Sequence, residues 1–188
     1  DEASKRYSRS LSVSTPVANR AIAPTGTIGI LAGTTTGIEP IYAVAYKRRY
    51  LTNGTKWKYQ YHVDDVAKNM IEIYGVSPDA IDTATDLAAD PERRIAFQAD
   101  VQDYVDMGIS STINLPAFQD KGYTKTFANI LAKYASRLRG FTCYPDGARG
   151  GQPLTKVDYE EVKDKLGDEF EESIEHNAIC DITGGGHC

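Results

Sequence analysis

The residues best suited to chemistry lie in Pro24-Thr25-Gly26-Thr27-Ile28-Gly29. Gly26 adds no Cβ, so the backbone is free to turn its N–H groups toward one point. Thr25 and Thr27 add hydroxyl donors. If a helix starts at Thr27 or Ile28, the partial positive charge of its first turn adds to the field. Together these make a phosphate cradle without any lysine. A capped helix after a turn would use the same residues, and pattern alone leaves both readings open. The motif is neither a Walker loop, lacking the Gly-Lys-Ser/Thr ending, nor a Rossmann fingerprint. Ile28 to Ala32 reads as a short buried helix behind the turn.

Cys180 and Cys188 stand at either end of a glycine-rich tail, CDITGGGHC. Two thiols on a flexible arm can exchange electrons with a disulfide elsewhere, because exchange needs reach and in-line attack. Zinc held by Cys180, His187 and Cys188, with His176, is the competing reading. A C-x6-H-C spacing with two thiolates fits zinc knuckles poorly. A tail without function is the third. Cys143, among aromatic neighbours, reads as a small core hydrophobe. The three histidines, His62, His176 and His187, show no triad pattern.

Lys47, Arg48, Arg49, Lys56 and Lys58 interleave with Tyr46, Tyr50, Trp57, Tyr59 and Tyr61. Such interleaving can bind single-stranded nucleic acid. It also describes an antiparallel hairpin with aromatics packed inward and charges outward, which the acidic chain as a whole favours. Glu92, Asp100, Asp103 and Asp106 imitate acid/base pairs but read as a solvated helix face.

The elements that must position these residues follow from periodicity. Residues 1–17, Ser- and Arg-rich with sparse apolar positions, read as a connection. Asn19 to Ala23 predicts a short strand ending at Pro24. Asn53-Gly54 predicts a hairpin turn between β-rich flanks. Val63, Val66, Ala67, Met70, Ile71 and Tyr74 predict a helix that stops at Gly75. Ser77-Pro78-Asp79 offers a cap for a short helix. A helix is predicted from near Glu92 to Met107, with Phe97, Val101, Tyr104 and Val105 as its apolar stripe and Gly108 as its end. SSTINLP then reads as a strand that Pro116 terminates. Thr124 to Leu138 follows as an amphipathic helix, with Phe127, Ile130, Leu131, Tyr134 and Leu138 on one face. Gly140 to Tyr144 reads as a second strand, closed by Pro145-Asp146-Gly147. This alternation of helices and strands predicts an α/β fold with parallel strands. Residues 153–188 form a separate segment, an acidic solvated helix over Asp158 to Glu175 and a mobile tail.

Composition bounds the rest. A chain of 188 residues can bury roughly 70% of its unfolded surface. It opens on Asp1 with no turn or cap signal, as expected of a cut inside a longer polypeptide. A net charge of −5 argues against nucleic acid as the partner of the bulk of the chain. Nothing resembles a signal peptide, and no apolar run approaches the ~20 residues of a membrane helix. Three cysteines are an odd count for a secreted disulfide framework, so the cytoplasm is the expected address.

Three blocks, APTGTIGILAGTTTGIEP, AFQADVQDYVDMGISSTINLP and GFTCYPDGARG, resemble the C-terminal part of the catalytic barrel of ribonucleotide reductases, most of all the adenosylcobalamin-dependent (class II) branch. The resemblance runs from about Arg20 to Gln152. It implies that residues 1–152 are the C-terminal part of a ten-stranded α/β barrel made of two five-stranded halves, followed by a flexible acidic tail. It implies that Ala23, Thr25, Gly26, Thr27 and Ile28 bind the phosphates of a ribonucleoside di- or triphosphate. The implied chemistry is reduction of the ribose 2′-hydroxyl through a cysteine thiyl radical, for DNA synthesis. The radical cysteine, its Asn and Glu neighbours and one reducing cysteine come earlier in the family's chain, so no catalytic residue and no metal ligand is assigned here. The family's tail cysteines, which regenerate the active-site dithiol with a thioredoxin- or glutaredoxin-like reductant, suit Cys180 and Cys188, although the spacing departs from the common short pair. Adenosylcobalamin would be held mainly outside this segment, which alone would be inactive and would need the remainder of the reductase chain. A homodimer is compatible with the resemblance. The alternatives are a class I large-subunit fragment, or a non-catalytic phosphate- or nucleic-acid-binding module using the basic hairpin.

Overall fold

Parallel pairing organises the part of the chain around the threonine–glycine loop. A computed structural model describes residues 1–52, 56–116, 121–145 and 153–171. Strand β3 (Thr112–Leu115) runs parallel to β4 (Thr142–Pro145), in register from Thr112 opposite Thr142 to Leu115 opposite Pro145. Ile22 adds a third parallel position by bridging Ile109. Its N–H donates to the Gly108 carbonyl, and Ser110 N–H donates back to its own carbonyl at 2.9 Å. The strand predicted over Asn19 to Ala23 is thus a single bridge, and Pro24, with no N–H, cannot extend it.

Helices α5 (Pro91–Gln102) and α6 (Lys121–Tyr134) cover this sheet. Ile95, Ile113 and Leu115 are buried between them, with Phe127, Ile130, Tyr134, Leu138, Phe141 and Cys143 packed around. Asp90 caps α5 by accepting from Arg93 N–H, and Pro91 occupies a first-turn position where the missing N–H costs nothing. The predicted extension of α5 to Met107 is not made. Tyr104 and Val105 N–H reach back only three residues, to Val101 and Gln102, so the helix tightens and stops. Met107 N–H then joins the Arg20 carbonyl at 2.9 Å, turning the chain into the sheet. The predicted stripe is also rotated: Phe97 is 49% and Tyr104 76% exposed. The buried face is Arg94, Ile95, Gln98, Ala99 and Gln102.

The acidic residues of α5 and the turn after it are not merely solvated. Arg137 pairs with Asp100 and Asp103, Lys133 with Glu92, and Arg20 with Asp106. Solvent screens such exposed pairs, so they bias local docking without driving it.

The second sheet is four-stranded and antiparallel, in the order β5 (Leu154–Val157), β1 (Ala45–Thr52), β2 (Lys56–Val63), β6 (Glu169–Glu171). The hairpin strands pair from Ala45 opposite Val63 to Thr52 opposite Lys56, and the predicted Asn53-Gly54 turn lies outside the described residues. Helix α7 (Tyr159–Val162) packs Val162 against Ala45 and Val63. The single acidic helix predicted over Asp158 to Glu175 is replaced, as far as Glu171, by this short helix and β6. The reason is local: Asp158 caps only one turn, Gly167 adopts φ +85, and Glu169 to Glu171 find an open strand edge on β2.

Helix α3 (Asp65–Glu72) is capped by Asp64, whose carboxylate accepts from Val66 and Ala67 N–H. It buries Ala67 against Ile41 and Ile81, while Gly75 turns the chain at φ +66. Tyr74, predicted on its apolar face, is exposed. Ser77 and Pro78 open a 3-10 turn, Pro78–Ala80, and Thr83 caps α4 (Ala84–Leu87). Glu2 to Leu11, predicted as a connection, form helix α1. Its residues are ordinary helix formers, and its end is a left-handed Ser12 whose N–H returns to Arg9. Among the described residues the parallel strands do not close into a barrel.

Candidate functional site

The threonine–glycine loop lies immediately after the Ile22 bridge, at the carboxyl end of a parallel strand position. Helix α2 (Gly26–Ala32) starts there, just ahead of the Thr27 or Ile28 start that the sequence suggests. Its first intrahelical bond runs from Gly29 N–H to the Thr25 carbonyl at 2.8 Å. The N–H groups of Gly26, Thr27 and Ile28 therefore precede any i−4 partner inside the helix. Residues Ala23 to Ile28 are all exposed. Among the described residues no strand ladder includes these three positions, and the residues that carry the amides are exposed.

The backbone that presents them is held in an uncommon shape. Thr25 sits at φ +47, a left-handed conformation costly for a β-branched residue. Its side chain points away from the loop mouth, because Oγ1 accepts from Gly37 N–H at 3.0 Å. Thr25 thus braces the loop through a lone pair of Oγ1, a contact that leaves its O–H able to donate. A Cβ on Gly26 would meet nothing within 4 Å, so the space in front of it is open. Gly29 differs: it is buried, and a Cβ there would collide with the Thr36 methyl. Gly37 adopts φ +56, and its Cβ would lie 3.1 Å from the Ala23 carbonyl. The two threonine–glycine clusters therefore pack back to back, the second supporting the first.

The apolar residues behind the turn do not anchor it as predicted. Ile28 is 69% and Leu31 88% exposed. Behind the turn lies a group of buried polar residues that apolar periodicity cannot reveal, of which Arg94 reaches the turn's support through Glu39. Arg94, Gln98 and Gln102 recur every four residues along α5, on its buried face. Gln98 Nε2 donates to the Gly140 carbonyl at 2.9 Å, ahead of β4. Gln102 Nε2 donates to the Val105 and Met107 carbonyls, and its Oε1 accepts from Arg139 N–H. Arg94 Nη2 donates to Glu39 at 3.0 Å and to Ser111 Oγ at 2.7 Å. Burial pushes the Arg94 guanidinium below its ordinary pKa, against the pull of Glu39. A cleft of about 300 Å³ opens beside this pair, lined by Ile38, Pro40, Leu87, Arg93 and Phe97 as well. The spacing of AFQADVQ was the available signal: amide side chains at helical intervals, each able to hold a loop carbonyl.

Cys180 and Cys188, with His176 and His187, lie outside the described residues. Cys143 packs on the Ile95–Ile113 core, and burial pushes its thiol pKa up, opposite to what a nucleophile needs. Among the described residues, no cluster of His, Cys, Asp and Glu could hold a metal.

The basic hairpin does not separate its charges from its rings. Lys47 and Arg49 share a face with Trp57, Tyr59 and Tyr61, because they stand opposite one another in register. Arg49 lies 4.3 Å over the Trp57 ring, Lys47 lies over Tyr59 and Phe170, and Lys165 lies over Tyr61. Tyr59 stacks on Phe170 at 5.4 Å, and Lys58 pairs with Glu169. The prediction of aromatics inward and charges outward fails, since cations and rings satisfy one another on the same face. The same contacts remove the main support for a nucleic-acid platform. No described helix is long and apolar enough to cross a membrane.

Comparison with known proteins converges on one family. The sequence profile described as "Ribonucleotide reductase, barrel domain" matches residues 18–144. A Vitamin B12-dependent ribonucleoside-diphosphate reductase of Mycobacterium tuberculosis (strain CDC 1551 / Oshkosh) is 32% identical over 158 residues, covering 73% of this chain and 22% of that protein. A protein of the same name from Thermoplasma acidophilum is 29% identical over 156 residues, covering 71% and 19%. The chain thus spans about a fifth of the length of these relatives. Its fold is similar to that in a crystal structure of a B-12 dependent (class II) ribonucleotide reductase, with a TM-score of 0.64 at 18% identity over 87% of this chain and 24% of that one.

Proposed function

We propose a function that proceeds from one fact: the chain belongs to the ribonucleotide reductase family through its barrel domain. It works as the C-terminal barrel portion of a class II reductase that converts ribonucleoside di- or triphosphates to deoxyribonucleotides. Its own contribution is to hold the substrate's phosphates through the amides of Gly26, Thr27 and Ile28, with the Thr27 hydroxyl and the Ala23 and Thr25 backbone completing the loop.

The observation that carries this reading is the open row of N–H groups at Gly26 to Ile28, at the carboxyl end of a parallel strand position. Ligands of α/β folds bind at that end of the strands. Unpaired amides there suit a phosphate, and rigid positioning of a substrate can lower a barrier by several kcal/mol. The exposed Ile28 and Leu31 fit a segment that packs against the remainder of the reductase chain. Cys180 and Cys188 are the proposed redox tail, passing electrons from a thioredoxin- or glutaredoxin-like reductant to the oxidised active-site disulfide, which becomes a dithiol again while the tail pair is oxidised and re-reduced.

The names of these relatives bring vitamin B12 to this reading, and the class II resemblance makes adenosylcobalamin the proposed source of the radical. Two clefts among the described residues, about 300 and 460 Å³, have the size of a drug-like ligand site, smaller than a corrin with its nucleotide tail requires. The cofactor is therefore assigned to other parts of the enzyme. The test is deoxyribonucleotide formation by the full-length reductase, with and without adenosylcobalamin. Cofactor-dependent turnover supports the class II reading. Turnover that needs a radical-bearing protein subunit and ignores cobalamin would contradict it.

A further inference from the structure

We propose that Arg94 and Glu39 are positioning residues for the phosphate loop, setting the direction of its amides from behind. The inference rests on the reading of Ala23 to Ile28 as the phosphate site.

The loop is not self-supporting. Thr25, at φ +47, is kept there by two contacts: Gly29 N–H on its carbonyl and Gly37 N–H on its Oγ1. Thr34 N–H adds a bond to the Gly29 carbonyl at 3.0 Å. Every one of these braces belongs to α2 or to the returning segment 34–37, so beyond the Ile22 bridge at its start the loop is placed by that segment.

Glu39 fixes the returning segment. Its N–H closes a turn onto the Thr36 carbonyl at 2.9 Å. Its two carboxylate oxygens go to different elements: Oε2 accepts from Arg94 Nη2 on α5 at 3.0 Å, and Oε1 accepts from Thr112 N–H at the start of β3 at 2.6 Å. Arg94, 5% exposed, also holds Ser111 Oγ. One carboxylate thus ties the loop's support to the helix and strand that make up the rigid part of the fold.

Stability alone does not explain the pair. A buried ion pair loses about as much in desolvation as it gains in attraction, and an apolar pair of similar volume often serves the fold equally well. Burial pushes the Arg94 pKa down, in keeping with that cost. What an apolar pair would not supply is a fixed direction: two oxygens with two donors set the position and rotation of residue 39, and through it Gly37, Thr25 and the amides beyond.

The experiment uses the full-length reductase and measures affinity for a ribonucleoside diphosphate and for the corresponding nucleoside, with thermal midpoints alongside. Arg94→Met should weaken diphosphate binding about tenfold and leave nucleoside binding within about twofold, with KM moving more than kcat. Arg94→Lys should recover part of the loss. Arg94→Met leaves the part-buried Glu39 carboxylate without its guanidinium and lowers the thermal midpoint; the double variant Glu39→Met with Arg94→Met removes both charges together. It should regain the thermal midpoint but not the diphosphate affinity, which separates positioning from stability. Wild-type diphosphate affinity in the double variant would overturn the proposal. Gly26→Val distinguishes the two levels. If it abolishes diphosphate binding while the double variant binds normally, only the positioning role fails. If it too leaves binding unchanged, the phosphate loop itself is wrong.

Discussion

Replacing Gly26 separates the loop's role in binding from its role in folding. Gly26 is the first residue of α2, has an ordinary backbone conformation, and has open space where a Cβ would stand. A side chain there meets no part of the protein, so Gly26→Val should change stability by no more than about 0.5 kcal/mol, the usual range for an exposed site. The ligand is affected differently. A phosphate oxygen held by these amides must come within roughly 2.7–3.2 Å of the nitrogens, and valine's methyl groups occupy that approach. Loss of even one charge-assisted hydrogen bond costs about 1.5–3 kcal/mol, which is roughly a 10- to 150-fold loss of affinity. Calorimetric titration with a ribonucleoside diphosphate and with the bare nucleoside, on folded protein of unchanged thermal midpoint, reads this directly. The diphosphate should lose its advantage over the nucleoside. Gly29→Ala is the contrasting variant: its methyl collides with Thr36, so the thermal midpoint should fall along with affinity. Full diphosphate affinity in Gly26→Val would refute the reasoning, whatever Gly29→Ala does.

Two further outcomes follow from other parts of the chain. Burial, with help from Arg48, pushes the His62 imidazole below its ordinary pKa, against Asp65; the unfolded chain therefore takes up the proton first, and stability present above about pH 6.5 is lost as pH falls toward the depressed folded value. Denaturant midpoints at pH 7.5 and 5.5 should show this loss in the parent and less of it in His62→Gln; an identical loss in both would remove His62 from the account. Changing Cys180 and Cys188 together to serine should halt multiple turnover with a thioredoxin-type reductant while a small dithiol still supports it, and unimpaired turnover with the protein reductant would rule out a redox tail.

Helix α3 and strand β3 were legible in the sequence because their signals are local. Val66, Ala67, Met70 and Ile71 keep helical spacing, Gly75 turns the chain, and SSTINLP runs as a strand until Pro116. The loop at Thr25 to Ile28 was legible as a turn into a helix start, since threonine and glycine leave few other shapes. What was hidden depends on partners distant in the chain. Arg94, Gln98 and Gln102 are polar, so apolar periodicity assigns them to solvent and rotates the predicted stripe of α5 toward Phe97 and Tyr104. Their burial makes sense only once Glu39, Gly140 and Met107 are known to lie beside them. Ile28 and Leu31 show the reverse error: apolar residues predicted to be buried, yet exposed on the segment's surface. The hairpin's mixed faces follow from the register that sets Lys47 across from Tyr61 and Arg49 across from Tyr59, a pairing that composition does not encode.

The most direct test of the account is a crystal structure of the full-length reductase with a ribonucleoside diphosphate bound. The account predicts terminal phosphate oxygens about 2.7–3.2 Å from the main-chain nitrogens of Gly26, Thr27 and Ile28, with Thr25 Oγ1 still accepting from Gly37. A phosphate bound elsewhere, with these three amides facing protein or solvent, would contradict it.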